Sequence, residues 1–240
     1  MSGDDWITFY READPTGYVI SVNQSVSSGR KVLKHKNCYE IRLQFGPTQL
    51  ADNGMPNQEG QSISHQIEDG LSRLIEPGEG EFVARRTGQE MRSLWLCGSN
   101  VAAREIRLAV ASTRTISVAL LPSSLSDVQA LHPTELEGHL ARDEDVLYSL
   151  AQQGDDHAVP RKIDYFMHGI TNSNRAAIEA RLRDLGFRLE EGQPDSILFS
   201  RVSTIELDTI QRDTRMLIQL SADLGCEYDG WGTTVMRTLN

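Results

Sequence analysis

The alternation of apolar and polar residues is clearest in the second half of the chain. Residues 162–168 read K-I-D-Y-F-M-H and residues 196–202 read S-I-L-F-S-R-V, and both patterns are typical of β-strands. Two longer segments carry apolar residues three, four or seven positions apart, which are spacings of one helix face. These stripes are Ile178, Leu182 and Leu185 in the first segment, and Ile210, Leu217, Leu220 and Leu224 in the second.

Both predicted helices are followed by the same signals. Gly186 and Gly225 come directly after the apolar stripes, where a glycine commonly ends a helix, and a strand is predicted behind each. The last strand is predicted over 226–229, and Ser203 with Glu206 forms a capping-box signature ahead of the second helix. The order of these elements is β-α-β-β-α-β, which predicts a ferredoxin-like α+β sandwich. A further helix is predicted ahead of them, over 140–152.

The first half of the chain repeats this order more faintly. Strands are predicted over 6–10, 17–23, 39–45, 81–86, 91–97 and 116–121, with helices around 63–74 and after Asn100. We therefore predict an α+β chain of two ferredoxin-like α/β sandwich domains in tandem. A stretch rich in proline and serine separates them. The predicted boundaries are 1–122 for the first domain, 123–138 for the linker and 139–240 for the second domain.

The composition and charge of this 240-residue chain argue against membrane and nucleic-acid partners. No apolar run approaches the ~20 residues that span a bilayer, and the start M-S-G-D-D-W lacks the apolar core of a signal peptide. We therefore expect a cytoplasmic protein with no membrane partner. The net charge of −10 repels polyanions, so no direct nucleic-acid binding is expected. The basic run R-K-V-L-K-H-K at 30–36 is interpreted as a solvated hairpin loop, with a local anion contact as the alternative.

Residues that could carry chemistry are present, but not in recognisable arrangements. Cys38, Cys97 and Cys226 are far apart in the sequence, so we expect three reduced thiols in the core. His132 and His139, with Glu135 between them, could hold a metal on one helix face, but a surface role is the favoured interpretation. Glycine-rich phosphate loops and serine-nucleophile motifs are missing from the sequence. We therefore predict no enzymatic activity, no cofactor and no metal.

The sharpest motif is E-Y-D-G-W-G-T at 227–233, where two glycines bracket a tryptophan. Strand alternation directs Tyr228 toward the core and Asp229 away from it. The glycines favour turns, which would take Trp231 out of that alternation. Trp231 is then either a lid that folds back over the sheet edge or part of an exposed patch that binds a partner protein. The residues assigned to this predicted patch are Tyr228, Asp229, Gly230, Trp231 and Gly232.

These segments resemble a bacterial family, the regulators of ribonuclease E activity B. The resemblance covers residues from about 140 to 235 and rests on R-D-E-D-V-L-Y-S-L-A-Q-Q-G-D-D, I-D-Y-F-M-H-G, R-L-R-D-L-G-F and C-E-Y-D-G-W-G-T. It implies a ferredoxin-like fold and a protein that restrains the endonuclease ribonuclease E by binding it, without chemistry of its own. The family's characterised member has a long acidic tail after the tryptophan motif, whereas this chain ends at Asn240. We therefore expect the fold to carry over better than the partner.

Residues 1 to about 120 resemble an uncharacterised bacterial domain found ahead of such regulators, on W-I-T-F-Y near the start and R-R-T-G-Q-E-M-R-S-L-W at 85–95. Together these features favour a non-catalytic regulatory protein that binds and modulates another protein. The implied partner is an endoribonuclease of RNA decay, and an acidic surface suits a basic partner. The alternative hypothesis is a domain that binds a small molecule, or an enzyme of unfamiliar geometry.

Overall fold

The structure is a computed structural model that describes residues 5–13, 17–24, 37–74, 80–98, 116–190 and 192–237. The chain divides into two compact units, Met1–Pro133 and Thr134–Asn240. Both units combine helices with an antiparallel sheet, which confirms the α+β prediction. The basic run 30–36 and the helix predicted after Asn100 lie outside the described residues. Among the described helices, none is both long and apolar enough to cross a membrane.

The first unit is built on a six-stranded sheet. Its strands are β1 (Trp6–Arg11), β2 (Tyr18–Asn23), β3 (Asn37–Gln44), β4 (Gly80–Gly88), β5 (Met91–Gly98) and β6 (Ser117–Ser123). They lie in the order β1-β2-β4-β5-β3-β6 and every neighbouring pair is antiparallel. A 3-10 helix (Pro47–Gln49), helix α1 (Gln58–Leu74) and the short helix α2 (Leu125–Gln129) complete the described elements of this unit.

Strand β5 lies inside this sheet and is buried on both faces. All six residues from Ser93 to Gly98 are buried. Leu94 and Leu96 share a core with the apolar face of α1, and alternation turns Trp95 toward the opposite face. Because neither face of this strand reaches solvent, its sequence is an apolar run rather than an alternating one.

The pairing of β3 with β5 corrects one sequence prediction. Cys38 lies directly opposite Cys97, and the two cysteines form a disulfide. They are 59 residues apart in the chain, so their contact depends on strand register and not on any local motif. The expectation of a reduced thiol is therefore wrong for this pair, whereas Cys226 is a free, buried cysteine as predicted.

Buried charge in the first unit is held by ion pairs. Glu68 on α1 lies 2.9 Å from Arg85 of β4 and 2.8 Å from Arg92 of β5. Burial lowers the pKa of Arg92, and the nearby Glu68 carboxylate opposes that change. One helix carboxylate thus connects two neighbouring strands.

The second unit begins with a helix and continues as β-α-β-β-α-β. Its elements are α3 (Glu135–Gln152), β7 (Arg161–His168), α4 (Arg175–Asp184), β8 (Arg188–Leu189), β9 (Ser196–Ser203), α5 (Leu207–Leu224) and β10 (Glu227–Thr233). The four strands form an antiparallel sheet in the order β10-β7-β9-β8. The helices and strands read from the sequence of this region are confirmed as elements, with changed ends.

Within the described residues of the second unit, helices cover one face of its sheet and leave the other exposed. Along β7, buried residues alternate with partly or fully exposed ones, as they do in a strand with one solvated face. Its inward residues pack with the three helices in one core, which includes Tyr165, Leu147, Ile178, Leu217 and Phe199. On the outward face, Phe166 of β7 is 44% exposed and Val202 of β9 is 73% exposed.

Two helix starts differ from the predictions. Helix α3 is capped by Thr134, whose hydroxyl accepts from the Glu137 amide at 3.2 Å while the Glu137 carboxylate accepts from the Thr134 amide at 2.8 Å. Residues predicted as a linker, 123–138, therefore contain α2 and the first turn of α3. The predicted capping box at the start of α5 is wrong, because Ser203 still belongs to β9, where it pairs with Arg161. Helix α5 ends as predicted at Gly225, which has a φ of 66°.

Candidate functional site

The tryptophan motif forms β10, at one edge of the second sheet. The strand runs to Thr233, so the prediction that it ends at Asp229 is wrong. The predicted directions at its start are confirmed, because Tyr228 is buried and Asp229 is exposed. In the part of the chain that the structure describes, β10 pairs with β7 alone, which leaves its outer edge without a neighbouring strand.

A β-bulge at Asp229 determines which way the tryptophan points. The register shifts between Tyr228 and Gly230, so that Trp231 pairs with Tyr165. Directly paired residues point to the same face, and Tyr165 lies in the core beneath the helices. The extra residue therefore turns Trp231 inward, whereas an unbroken alternation from Tyr228 would turn it outward. Gly230 has a φ of 122°, a conformation that other residues rarely adopt.

The indole of Trp231 is hydrogen-bonded to a buried carboxylate on α3. Its Nε1 donates to Asp143 Oδ1 at 2.7 Å, and the Thr214 hydroxyl of α5 donates to Asp143 Oδ2 at 2.7 Å. Asp143 is only 4% exposed. Burial raises the pKa of this carboxyl to about 6, and the two hydrogen bonds oppose the increase. One side chain thus joins α3, α5 and β10, and we call Asp143, Thr214 and Trp231 the Asp143 network.

A second buried carboxylate lies beside this network. Asp213 of α5 accepts a hydrogen bond from the Tyr165 hydroxyl at 2.8 Å and forms an ion pair with Arg201 of β9. Burial raises the pKa of Asp213, while the Tyr165 hydrogen bond and the Arg201 charge oppose the increase. Adjacent residues of α5, Asp213 and Thr214, therefore tie the helix to the sheet on one side and to α3 on the other.

The start of β10 borders a cleft of about 580 Å³. Helix α3 contributes Glu135, His139 and Arg142 to its lining. The remaining lining residues come from the two neighbouring strands and are His168, Glu227, Tyr228 and Asp229. Charged side chains therefore dominate the cleft.

His139 is the buried polar member of the cleft lining. It is 6% exposed, its ring centroid lies 5.1 Å from that of Tyr228, and it makes no hydrogen bond to any described residue. Burial and the Arg142 charge lower its pKa to about 4, which the Asp229 charge opposes. At neutral pH this imidazole is therefore uncharged, with one ring nitrogen able to donate a hydrogen bond and the other able to accept one.

The predicted surface role is wrong for His139, which is 6% exposed, and Asp143 was not among the predicted site residues. Both His139 and Asp143 lie on the inner face of α3, at a spacing of four that continues to Leu147. A polar residue at a position where helix periodicity predicts an apolar one is the sequence feature that could have identified His139 and Asp143. In the described residues, no three histidine, cysteine or acidic side chains are arranged to hold a metal ion.

The residues of the predicted patch do not share one surface. Tyr228 and Asp229 both line the cleft, but Asp229 is exposed whereas Tyr228, like Trp231, packs in the core with the helices. Gly230 and Gly232 pair with the outward-facing Phe166 and Asp164 of β7. The motif therefore contributes Tyr228 and Trp231 to the face of the sheet that packs against the helices. On the opposite face it contributes two glycines, which have no side chains.

Comparisons with known proteins give a family match for this unit. The model of the family "Regulator of ribonuclease activity B" matches residues 140–233. Among solved structures, an unknown protein from Galdieria sulphuraria is similar to 84% of this chain and 100% of its own, at 10% identity and a TM-score of 0.23, which is too low to support an argument about fold. No curated protein matches the chain.

The family match begins within α3, ends at the last residue of β10, and includes Asp143, Thr214 and Trp231. It therefore spans the Asp143 network and five of the seven residues that line the cleft, while Glu135 and His139 lie before it. The C-terminal part of the chain, residues 140–233, is accordingly similar to the regulator of ribonuclease activity B family.

Proposed function

We propose that this chain is a non-catalytic regulator that binds an endoribonuclease of RNA decay through its second unit and thereby changes the rate of RNA cleavage. The observation that supports this function is the family match over residues 140–233. The matched region includes β7, β9 and β10, so it contains the uncovered face of the sheet. We call the outward residues of these strands, with Phe166, Val202, Gly230 and Gly232 at their centre, the open sheet face.

The open sheet face has features of a protein-binding surface. Phe166 is an exposed aromatic residue, and aromatic residues are common energetic anchors in protein interfaces. Gly230 lies opposite Phe166 and has no side chain, so a partner could approach the ring and the neighbouring backbone together. Beside them, Lys162 lies 2.9 Å from Asp164 and 3.1 Å from Glu190, which gives the apolar spot a polar rim.

Charge supports a basic protein partner. The chain carries a net charge of −10, which attracts a basic surface and repels RNA. A ribonuclease that holds RNA with lysine and arginine residues offers such a surface. The small-molecule alternative would need an apolar pocket with a few convergent polar groups, whereas the cleft beside β10 is lined mainly by charged residues.

We further propose that both units are ferredoxin-like. In the second unit, the order β-α-β-β-α-β and the sheet order β10-β7-β9-β8 support this topology. In the first unit, β6-β3-β5-β4 follows the same strand order, with β2 and β1 added beyond β4. Helix α1 provides the first crossover, and the second crossover falls at residues 99–115, outside the described part of the chain.

The proposed function implies a cytoplasmic location, shared with the target enzyme. The Cys38–Cys97 disulfide argues against a cytoplasmic location, because reducing compartments disfavour such bonds. Fractionation with thiol trapping would measure both the location of the protein and the oxidation state of this pair.

The function is tested with two purified proteins. The chain is titrated into the endoribonuclease of RNA decay from the same organism, with affinity measured by biolayer interferometry and cleavage measured on a fluorescent RNA. We expect saturable binding, a dose-dependent change in the cleavage rate, and intact RNA when the chain is incubated alone. Absence of binding, or RNA cleavage by the chain itself, would contradict the proposal.

A matched pair of variants tests the open sheet face. Phe166→Ala removes an exposed ring from this face, and we expect binding about tenfold weaker. Tyr148→Ala removes a ring that is 69% exposed on α3 and should leave affinity unchanged. Equal affinities for both variants would exclude the open sheet face as the contact surface. Circular dichroism spectra should show both variants folded, because neither ring belongs to the core.

A further inference from the structure

We propose that the cleft between α3 and the start of β10 receives the guanidinium group of an arginine side chain from the protein partner. This inference rests on the proposed function, since the arginine belongs to the bound protein. The cleft itself can nevertheless be tested with a small arginine derivative and without any ribonuclease.

The charges of the cleft favour a cationic group. Glu135, Glu227 and Asp229 supply three carboxylates, and Arg142 supplies one guanidinium. Carboxylates bind a guanidinium through short, charge-assisted and often bidentate hydrogen bonds. An anionic ligand such as a phosphate would instead meet three negative charges, so the cleft does not suit an RNA backbone.

The buried imidazole supplies an independent observation. His139 lines the cleft, and its imidazole has no side-chain hydrogen bond to a described residue. The residue is 6% exposed and its ring nitrogens are not fully enclosed, so the accessible part of the imidazole faces the cleft, where an entering ligand can form hydrogen bonds with it. With its pKa lowered to about 4, His139 is neutral and can accept a hydrogen bond from a guanidinium without repelling it.

The acceptors of the lining suit a guanidinium. Three carboxylates and the neutral His139 imidazole line the cleft together, whereas the Tyr228 ring is only 2% exposed. A guanidinium has five N–H donors in a fixed planar arrangement, while an ammonium has three on a single nitrogen. Arginine therefore fits the lining better than lysine.

The experiment uses the full chain and N-acetyl-arginine amide as the probe. Nuclear magnetic resonance spectra of the protein are recorded during titration, with His139 and Asp229 as reporters. N-acetyl-citrulline amide is the matched ligand, because it has nearly the same shape without the positive charge. We expect saturable shifts of both reporters with the arginine probe, and binding at least about fivefold weaker with the citrulline probe.

A second pair of variants assigns the binding to the cleft. Glu227→Gln with Asp229→Asn removes two exposed carboxylates from the lining, and we expect the arginine probe to bind about fivefold more weakly or not at all. Asp145→Asn removes an exposed carboxylate of α3 that does not line the cleft and should leave binding unchanged.

Three results would overturn the proposal: no saturable shift with arginine, equal affinity for citrulline, or an equal loss in Asp145→Asn. The outcome is separable from that of the ribonuclease experiment. A chain that binds the ribonuclease and ignores the arginine probe keeps its proposed function and loses this site.

Discussion

The two sheets of this protein differ in what covers their faces. In β5 of the first sheet, six consecutive residues are buried, whereas in β7 of the second sheet every other residue reaches solvent. Strand β5 of the first sheet therefore contributes buried side chains on both faces. Strand β7 of the second sheet contributes buried side chains on one face and exposed side chains on the other, and the second unit carries the family match.

Two buried carboxylates, one in each unit, have different partners. Glu68 in the first unit lies between two arginines, while Asp143 in the second receives hydrogen bonds from an indole and a hydroxyl, both neutral. Neutral donors compensate the burial of the Asp143 carboxylate only in part. The raised pKa of Asp143, about 6, is the consequence.

The largest expected effect comes from placing a charge on each strand. Leu96→Lys in β5 and Met167→Lys in β7 each place an ammonium at a buried position, and we expect each to lower the free energy of unfolding by more than about 4 kcal/mol. Phe166→Lys, at the neighbouring position of β7, points to solvent and should cost less than about 1 kcal/mol. Urea denaturation of the three variants measures this, and a severe loss for Phe166→Lys would show that the second sheet is covered on both faces.

Reduction of the Cys38–Cys97 disulfide should have the second-largest effect on the free energy of unfolding. The bridge joins residues 59 apart, and the loop-entropy model assigns such a crosslink about 4 kcal/mol. We expect dithiothreitol to destabilise the first unit by this order and to leave the second unchanged. Hydrogen exchange resolved by segment distinguishes the two units, and the Cys38→Ala, Cys97→Ala double variant should be insensitive to the reductant.

Loss of the Asp143 carboxyl should have a moderate effect. Asp143→Ala leaves the Trp231 indole N–H and the Thr214 hydroxyl without their acceptor, and we expect a cost of about 2–4 kcal/mol. Asp143→Asn retains a carbonyl for the indole and should cost about half as much or less. Denaturation followed by Trp231 fluorescence, in a background with the other tryptophans replaced by phenylalanine, reports on this unit. Equal costs for both substitutions would indicate that volume and not hydrogen bonding matters at this position.

The pH dependence of stability should be the smallest effect, on the order of 2 kcal/mol. Because burial raises the pKa of Asp143 from 3.8 to about 6, its contribution to stability is fully present below pH 3.8 and is lost as the pH rises through about 6. His139, whose pKa falls from 6.5 to about 4, acts in the opposite sense and loses stability as the pH falls through about 4.

The two titrations are separated by comparing the chain with Asp143→Asn between pH 4 and 7. The variant lacks the carboxyl, so the difference in unfolding free energy between the two proteins isolates its contribution. We expect the chain to lose stability relative to the variant as the pH rises. A difference that does not change with pH would show that Asp143 titrates in its ordinary range.

A Trp231→Ala variant would not separate the loss of binding from the loss of folding. Trp231 is part of the Asp143 network and packs against the core, so its removal alters folding as well as any surface. Phe166→Ala and Glu227→Gln change only exposed groups and therefore separate binding from stability.

Local patterns in the sequence were sufficient for the helices, the strands and their inward faces. The stripe through Ile210 and Leu217, the glycine stop at Gly225 and the inward direction of Tyr228 all depend on neighbours within a few residues, because side-chain direction follows from helix or strand periodicity. The family resemblance was readable for the same reason, since it rests on short contiguous motifs.

The tertiary structure alone decided three features of this protein. The Cys38–Cys97 bond follows from the register of β3 on β5, the inward turn of Trp231 follows from a bulge that inserts one residue opposite β7, and the Asp143 network needs three elements to meet. Each depends on which segments lie side by side across long stretches of chain. A one-residue change of register reverses every side chain of a strand, so local periodicity could predict that a strand forms here but not where its tryptophan points.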